Sequence, residues 1–145
     1  MWRRYGYIPA TMSNNDPCIC IAVRKASRRL TARYDEALAP LGITLAQFSL
    51  LRNINRHGPV SLTRLAEITE LDRSTLGRNV RLLERMNLCA PAVADDKREA
   101  AVALSEDGRR VLAAATPRWT ATQTDLRSRI GAEGAAQLEA LLGAL

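Results

Sequence analysis

Ser74, Gly77, Arg78 and Arg81 recur at helical spacing on one side of a short stretch, with Arg73 at its start and Arg85 near its end. Arginine presents a rigid fork of donors that pairs bidentately with the edge of a guanine or with a phosphate. Serine and threonine hydroxyls can donate or accept, and glycine lets a backbone approach closely. The other side carries Leu76, Val80 and Leu83 at i, i+4 and i+7, an apolar stripe that must face a core. No acid falls on the basic side before Glu84, which projects elsewhere. One greasy stripe opposite a face of guanidinium and hydroxyl groups suits the major groove of DNA. An ordinary solvated surface helix has a similar look, so the flanking elements decide.

Those elements are legible on both sides. Asp72 precedes the stretch and can accept from the free amides of its first turn, so it is read as the N-cap. Upstream, Ser61 caps a short helix from Leu62 to about Thr69, with Leu62, Leu65, Ala66 and Ile68 apolar. The link Glu70-Leu71 is so short that the two helices must cross at a large angle, as in a helix-turn-helix. Downstream, Leu88 to Val93 and Ala100 to Leu104 read as two strands, and Pro91 confines the first to an edge because it cannot donate a ladder bond. The tip between them, Asp95-Asp96-Lys97-Arg98-Glu99, is charged, and a basic residue there can reach phosphates or a minor groove. The predicted fold is mainly α with a small two-stranded β-hairpin wing: a winged helix-turn-helix carried between N- and C-terminal helices.

The run LTRLAEITELDRSTLGRNVRLLERMNL, the wing triplet Asp96-Lys97-Arg98 (D-x-R) and Leu104-Ser105-Glu106-Asp107-Gly108 (L-[TS]-x-x-G) together resemble the MarR family of transcriptional regulators. The similarity extends from about Cys18 to the C-terminus. It implies a homodimer on a roughly palindromic operator, dimerised through its first and last helices. It also implies a recognition helix opening at Asp72 to Thr75, a minor-groove contact from Arg98, and a wing steadied by Asp96. The candidate DNA-binding set is therefore Ser61, Thr63, Arg64, Arg73, Ser74, Thr75, Gly77, Arg78, Asn79, Arg81, Asp96, Lys97 and Arg98.

Composition agrees. A chain of 145 residues can bury one substantial core, and 47% hydrophobic with only 4% aromatic residues fits helices better than a β-sandwich. The net charge of +6 favours an acidic partner, and all but Lys25 and Lys97 of the 21 basic residues are arginine. No apolar run approaches a membrane span and no signal peptide is seen. Three cysteines, an odd number, argue against a disulfide framework. The expectation is a cytoplasmic protein whose partners are double-stranded DNA, a second copy of itself and a small-molecule effector, with no membrane.

In chain order, residues 1–16 show no helical period and read as a flexible arm. Trp2, Tyr5 and Tyr7 with Arg3 and Arg4 can stack against DNA or pack on a partner subunit; a true start at Met12 is a further reading. Residues 17–43 form the first dimerisation segment, a helix from Pro17 to about Ala39 with Ile19, Val23, Ala26, Leu30, Tyr34 and Leu38 on one seam. Arg24, Lys25, Arg28, Arg29 and Arg33 lie mostly off that seam. Residues 44–104 form the DNA-binding lobe, opened by Thr44 capping a helix to about His57, where Gly58-Pro59 stops it. The lone His57 is a helix-end residue rather than a ligand. Residues 105–145 are the C-terminal dimerisation helices, capped by Ser105, with a kink or short break expected at Pro117 and a last helix from about Ala132 to Leu142 after Gly131.

For the signal sensed there is one lead. Cys20-Ile21-Ala22-Val23-Arg24-Lys25-Ala26-Ser27-Arg28 resembles the start of the organic-hydroperoxide-sensing subgroup of the family, whose reactive cysteine corresponds to Cys20 and one of whose cysteine-bonding tyrosines corresponds to Tyr34. The subgroup's other two tyrosines are replaced here by Arg24 and Leu45. A cysteine near a helix start with arginines beside it can be oxidisable, whereas a small core residue is the ordinary role of free cysteine. Cys18 is two residues away, and Cys89 reads as structural. An enzyme is not expected: there is no nucleophile–base pair, glycine-rich phosphate loop or metal-ligand spacing, so no catalytic residue, metal or cofactor is assigned. A winged-helix module that binds protein instead of DNA would show an acidic or apolar recognition face.

Overall fold

The computed structural model describes residues 17–93 and 99–145. Chain contacts divide them into a short unit ending at Ala32 and a larger one from Arg33 to Leu145. Helix α1 runs Ile19–Leu38, two residues later than the sequence pattern begins, and a 3-10 turn at Ala39–Leu41 follows. In the short unit every side chain from residue 17 to 30 is exposed.

The larger unit continues with α2 (Leu45–His57), β1 (Val60–Ser61), α3 (Leu62–Thr69), α4 (Arg73–Arg85), β2 (Cys89–Val93), β3 (Ala100–Leu104) and α5 (Glu106–Gly143). Helix α2 starts where expected: the Thr44 hydroxyl accepts from the Gln47 amide and the Gln47 side chain accepts from the Thr44 amide, a reciprocal capping box. Asp35 adds a carboxylate oxygen 2.6 Å from the Leu45 amide.

Phe48, Leu51 and Ile54 of α2, Leu65 of α3 and Leu76, Val80 and Leu83 of α4 meet Val102 of β3 and Leu112 and Ala115 of α5 in one core. Burying each such large side chain contributes about 1.5–3 kcal/mol. The stripe read from spacing on α4 is the buried one.

Two expectations are corrected. The two wing strands β2 and β3 pair antiparallel as expected, but β1 adds a third strand on the far edge, in the order β1-β3-β2. Val60 and Ser61 pair with Val102 and Ala101, and a two-residue strand is too short to carry an alternation that could announce it. Pro91 does lie on an edge strand, opposite Val102. Secondly, helix α5 runs through Pro117 with helical backbone; inside it only Gly131 departs, at φ 72 and ψ 165. Pro117 and Ala113 are both exposed, so water can satisfy the carbonyl that the proline leaves without a donor. Gly131 stops the first segment because it has no Cβ to resist the left-handed region. An ion pair between Arg127 and Glu139 spans the bend.

Candidate nucleic-acid interface

Helix α3 ends in a left-handed Glu70 (φ 53), with the Leu71 amide bonded back to the Ala66 carbonyl at 3.2 Å. This Schellman closure stops α3 without a glycine and delivers the chain directly into the next cap. Leu71 packs against the core, which anchors the turn.

Asp72 then begins α4. One of its carboxylate oxygens accepts from the Thr75 amide at 2.9 Å and from the Ser74 hydroxyl at 2.7 Å. Hydrogen bonds from Thr75 and Ser74 hold the Asp72 carboxyl well below the usual carboxylate range, so it is ionised at neutral pH. Its charge also complements the positive end of the helix dipole.

One turn on, Arg78 donates from Nη2 to the Thr75 hydroxyl at 3.2 Å. That bond draws the guanidinium toward the N-terminal end of the helix. The Arg81 guanidinium lies over Gly77: a Cβ built there would meet its Nη1 at 3.6 Å. Arg73, Ser74, Arg78 and Arg81 are all exposed, while Thr75, Gly77 and Asn79 are half-buried. Among the described residues none of these arginines is ion-paired.

Helix α3 contributes differently. The Ser61 hydroxyl accepts from the Arg64 amide at 3.1 Å and so caps α3. Arg64 is paired with Glu67 at 3.0 Å, which offsets part of its charge. Thr63 is half-buried. Asp96, Lys97 and Arg98 lie outside the described residues, as does the N-terminal arm; the strands that lead to the tip are paired up to Val93 and Ala100.

Of the redox candidates, Cys20 is exposed, as is Cys18. Tyr34 is buried, its hydroxyl donating to Gln123 and its ring stacked on Trp119 with centroids 6.5 Å apart. Burial raises the Tyr34 pKa, and nearby Arg127 acts in the opposite sense. Cys89 is buried, and burial together with Glu84 pushes its thiol up to about 12.

The spacing of residues did not point to a groove of about 430 Å³ between α2 and Trp119. Leu45 and Phe48 give it apolar lining, and Ser49, Arg52, Asn53 and Arg56 add polar and charged groups. Arg52 stacks 4.7 Å above the Trp119 ring, which also stacks on Phe48 with centroids 5.8 Å apart. Residues 67 positions apart meet here, and no local pattern encodes that. Among the described residues no cluster of His, Cys, Asp or Glu could hold a metal ion, and no helix is long and apolar enough to cross a membrane.

A helix-turn-helix followed by paired strands, with an exposed basic face on its second helix, is a winged helix-turn-helix. Comparison narrows this. The MarR family sequence profile matches residues 41–99. The crystal structure of the M. tuberculosis transcriptional regulator MosR in complex with DNA is 32% identical, with a TM-score of 0.76 over 88% of this chain and 95% of that one. The S. aureus MepR–DNA complex shares the fold at a TM-score of 0.78, 21% identity and coverage of 89% and 96%. The organic hydroperoxide resistance transcriptional regulator of Bacillus subtilis is 28% identical over 91 residues; the match spans 62% of each chain. The chain belongs to the MarR family.

Proposed function

We propose that this chain is a sequence-specific, DNA-binding transcriptional repressor that grips a pseudo-palindromic operator as a homodimer and lets go when a small ligand binds. The observation that carries this is the exposed face of α4, on which Arg73, Arg78 and Arg81 stand unpaired among the described residues and Arg78 is held by Thr75. Residues 44–104 would read the DNA, with Ser61, Thr63, Arg64, Ser74, Gly77 and Asn79 supporting the arginines. Asp96, Lys97 and Arg98 would act from the wing tip. Residues 17–43 and 105–145 would join the two copies. Support for the dimer comes from Ile19, Ile21, Val23 and Leu30 on α1 and Leu138, Leu141 and Leu142 on α5, large apolar side chains left exposed in a single chain. Two recognition helices must then stand about 34–36 Å apart to enter successive major grooves. An effector in the groove beside Trp119 would act on α2 and α5 together and could change that spacing. The exposed basic face argues against a protein-binding winged helix, which would present acidic or apolar groups.

The experiment is a titration of the protein against its own upstream DNA, with Arg78→Ala and Arg98→Ala variants beside it. Both should weaken specific binding. Unchanged operator affinity in both would show that the reading surface lies elsewhere.

A second reading makes Cys20 an organic hydroperoxide switch on the same scaffold. It is favoured by the exposure of Cys20 and by the similarity to the hydroperoxide resistance regulator. The Cys20 thiolate would attack the outer peroxide oxygen, gaining an S–O bond as the O–O bond breaks. The sulfur is oxidised to a sulfenic acid, and the peroxide leaves as an alkoxide that takes a proton to become the alcohol. Tyr34 stands fourteen residues beyond Cys20 on α1, so it would enter this reading only from a second copy and by exchanging its Gln123 partner. Loss of DNA binding after one equivalent of hydroperoxide, absent in Cys20→Ser, is the expected result. Binding indifferent to peroxide leaves the small ligand as the signal.

A further inference from the structure

The part of α1 in the short unit carries Arg24, Lys25, Arg28 and Arg29, all exposed and none ion-paired among the described residues. There is no acidic residue between Pro17 and Tyr34. At 3.6 residues per turn these four cations share an arc of roughly 140° on the helix. Arg24 and Arg28, and Lys25 and Arg29, are like-charged neighbours at i, i+4, an arrangement that disfavours an isolated helix. Arg33, one turn further on, has its counter-charge in Asp125 at 3.6 Å. The apolar residues Ile19, Val23, Ala26 and Leu30 occupy a separate, narrow arc on the far side, while Ile21 falls on the basic side, one turn before Arg24 and Lys25.

We infer that the face formed by Arg24, Lys25, Arg28 and Arg29 is a second, sequence-independent contact for the phosphate backbone of duplex DNA. The inference rests on the DNA-binding reading above and assigns that reading its electrostatic share. A row of closely spaced cations without acids matches a polyanion of closely spaced phosphates, where each neutralised phosphate releases condensed counterions. A membrane-surface helix would set its cations against a broad apolar face bearing Trp, Phe or Leu; here that face is narrow and without Trp or Phe. The α1 face therefore contributes affinity and orientation, and α4 contributes discrimination.

The test uses the full chain and the quadruple variant R24Q/K25Q/R28Q/R29Q, titrated against an upstream operator duplex and an unrelated duplex over a series of salt concentrations. The logarithm of the binding constant should fall less steeply with the logarithm of salt in the variant, by about 0.9 for each cation that faced a phosphate. Both duplexes should lose affinity by the same factor, leaving their ratio intact. R24K/R28K/R29K should restore the wild-type slope, because a phosphate accepts any point charge. If the quadruple variant does not fold, R24Q/R28Q and K25Q/R29Q each give half the result. An unchanged slope overturns the inference, as does a changed operator-to-unrelated ratio at constant slope. Loss of binding to vesicles rich in anionic lipid, with the DNA slope unchanged, overturns it in favour of a membrane surface. A wild-type protein that binds neither duplex at any salt sinks the DNA-binding reading itself.

Discussion

The carbonyl oxygen of Leu88 lies 1.9 Å from the point where a side chain on Gly108 would begin. That contact joins the segment after α4 to the start of α5. The same carbonyl accepts from the Ser105 amide at 3.1 Å, and the Ser105 hydroxyl donates to the Asn87 carbonyl at 2.5 Å while accepting from the Gly108 amide at 2.9 Å. A methyl group at 108 has to push these backbones apart. Gly108→Ala should lower unfolding stability by about 1–3 kcal/mol in a urea titration, the ordinary cost of overpacking. It should also weaken operator binding by displacing α4 relative to α5.

Acid should loosen the start of α4 before it unfolds the chain. Asp72 has its carboxyl held below the ordinary range by bonds from Thr75 and Ser74. A depressed folded pKa means that the stabilisation is complete above the unfolded value, about 3.9. It is lost as pH falls below that value and through the folded one. Amide exchange at Thr75 in Asp72→Ala should be faster than in the wild type at neutral pH, and the gap should close at strongly acidic pH. Asn, which caps nearly as well as Asp, should restore most of the protection at neutral pH.

The Thr75 hydroxyl holds Arg78 by a hydrogen bond, and on the proposed function it would act on DNA through that arginine. Thr75→Val removes the hydroxyl that accepts from Arg78 and leaves the guanidinium in place but unguided. Specific binding should fall by about 1 kcal/mol, less than the roughly 1–3 kcal/mol expected for Arg78→Ala if that side chain reads a base. A filter-binding comparison of operator with unrelated DNA checks both. Equal losses on the two duplexes would assign Arg78 to a phosphate.

Trp119 ties three elements together, stacking on Tyr34 of α1 and Phe48 of α2 and lying beneath Arg52. Truncation to Ala removes both stacks and opens a gap beside the core. Stability should fall by about 3 kcal/mol, the low end for such a substitution because the ring is half-buried. Chemical denaturation followed by circular dichroism gives the value.

The three thiols should separate into two classes. Cys18 and Cys20 are exposed, whereas Cys89 is buried with its pKa pushed up to about 12, so almost none of it is thiolate at pH 8. A disulfide reagent should titrate two thiols quickly in the native protein and the third only on unfolding. Three fast thiols would place Cys89 at the surface.

Much of the fold is written in local chemistry. Asp72, Thr44, Ser61 and Ser105 each announce a helix start because a short polar side chain next to free amides has one good use, and all four do cap. The Leu76, Val80 and Leu83 stripe identifies the buried side of α4, and its opposite side is the exposed basic face. These are properties of residues within a turn or two of one another. Pro117 shows where local chemistry misleads: a proline costs a helix one bond wherever it sits, but only tertiary burial decides whether water can take that bond's place. The two-residue strand at Val60 exists only because β3 is there to pair with it. The groove at Trp119 likewise needs α2 and α5 to be packed together, so nothing within either helix foretells it. The sequence by itself determined the helix starts, the buried stripe and the basic face, because each is set by neighbours along the chain. Only the tertiary structure decided the third strand, the unbroken path through Pro117 and the aromatic groove, because each depends on residues brought together by burial rather than by order.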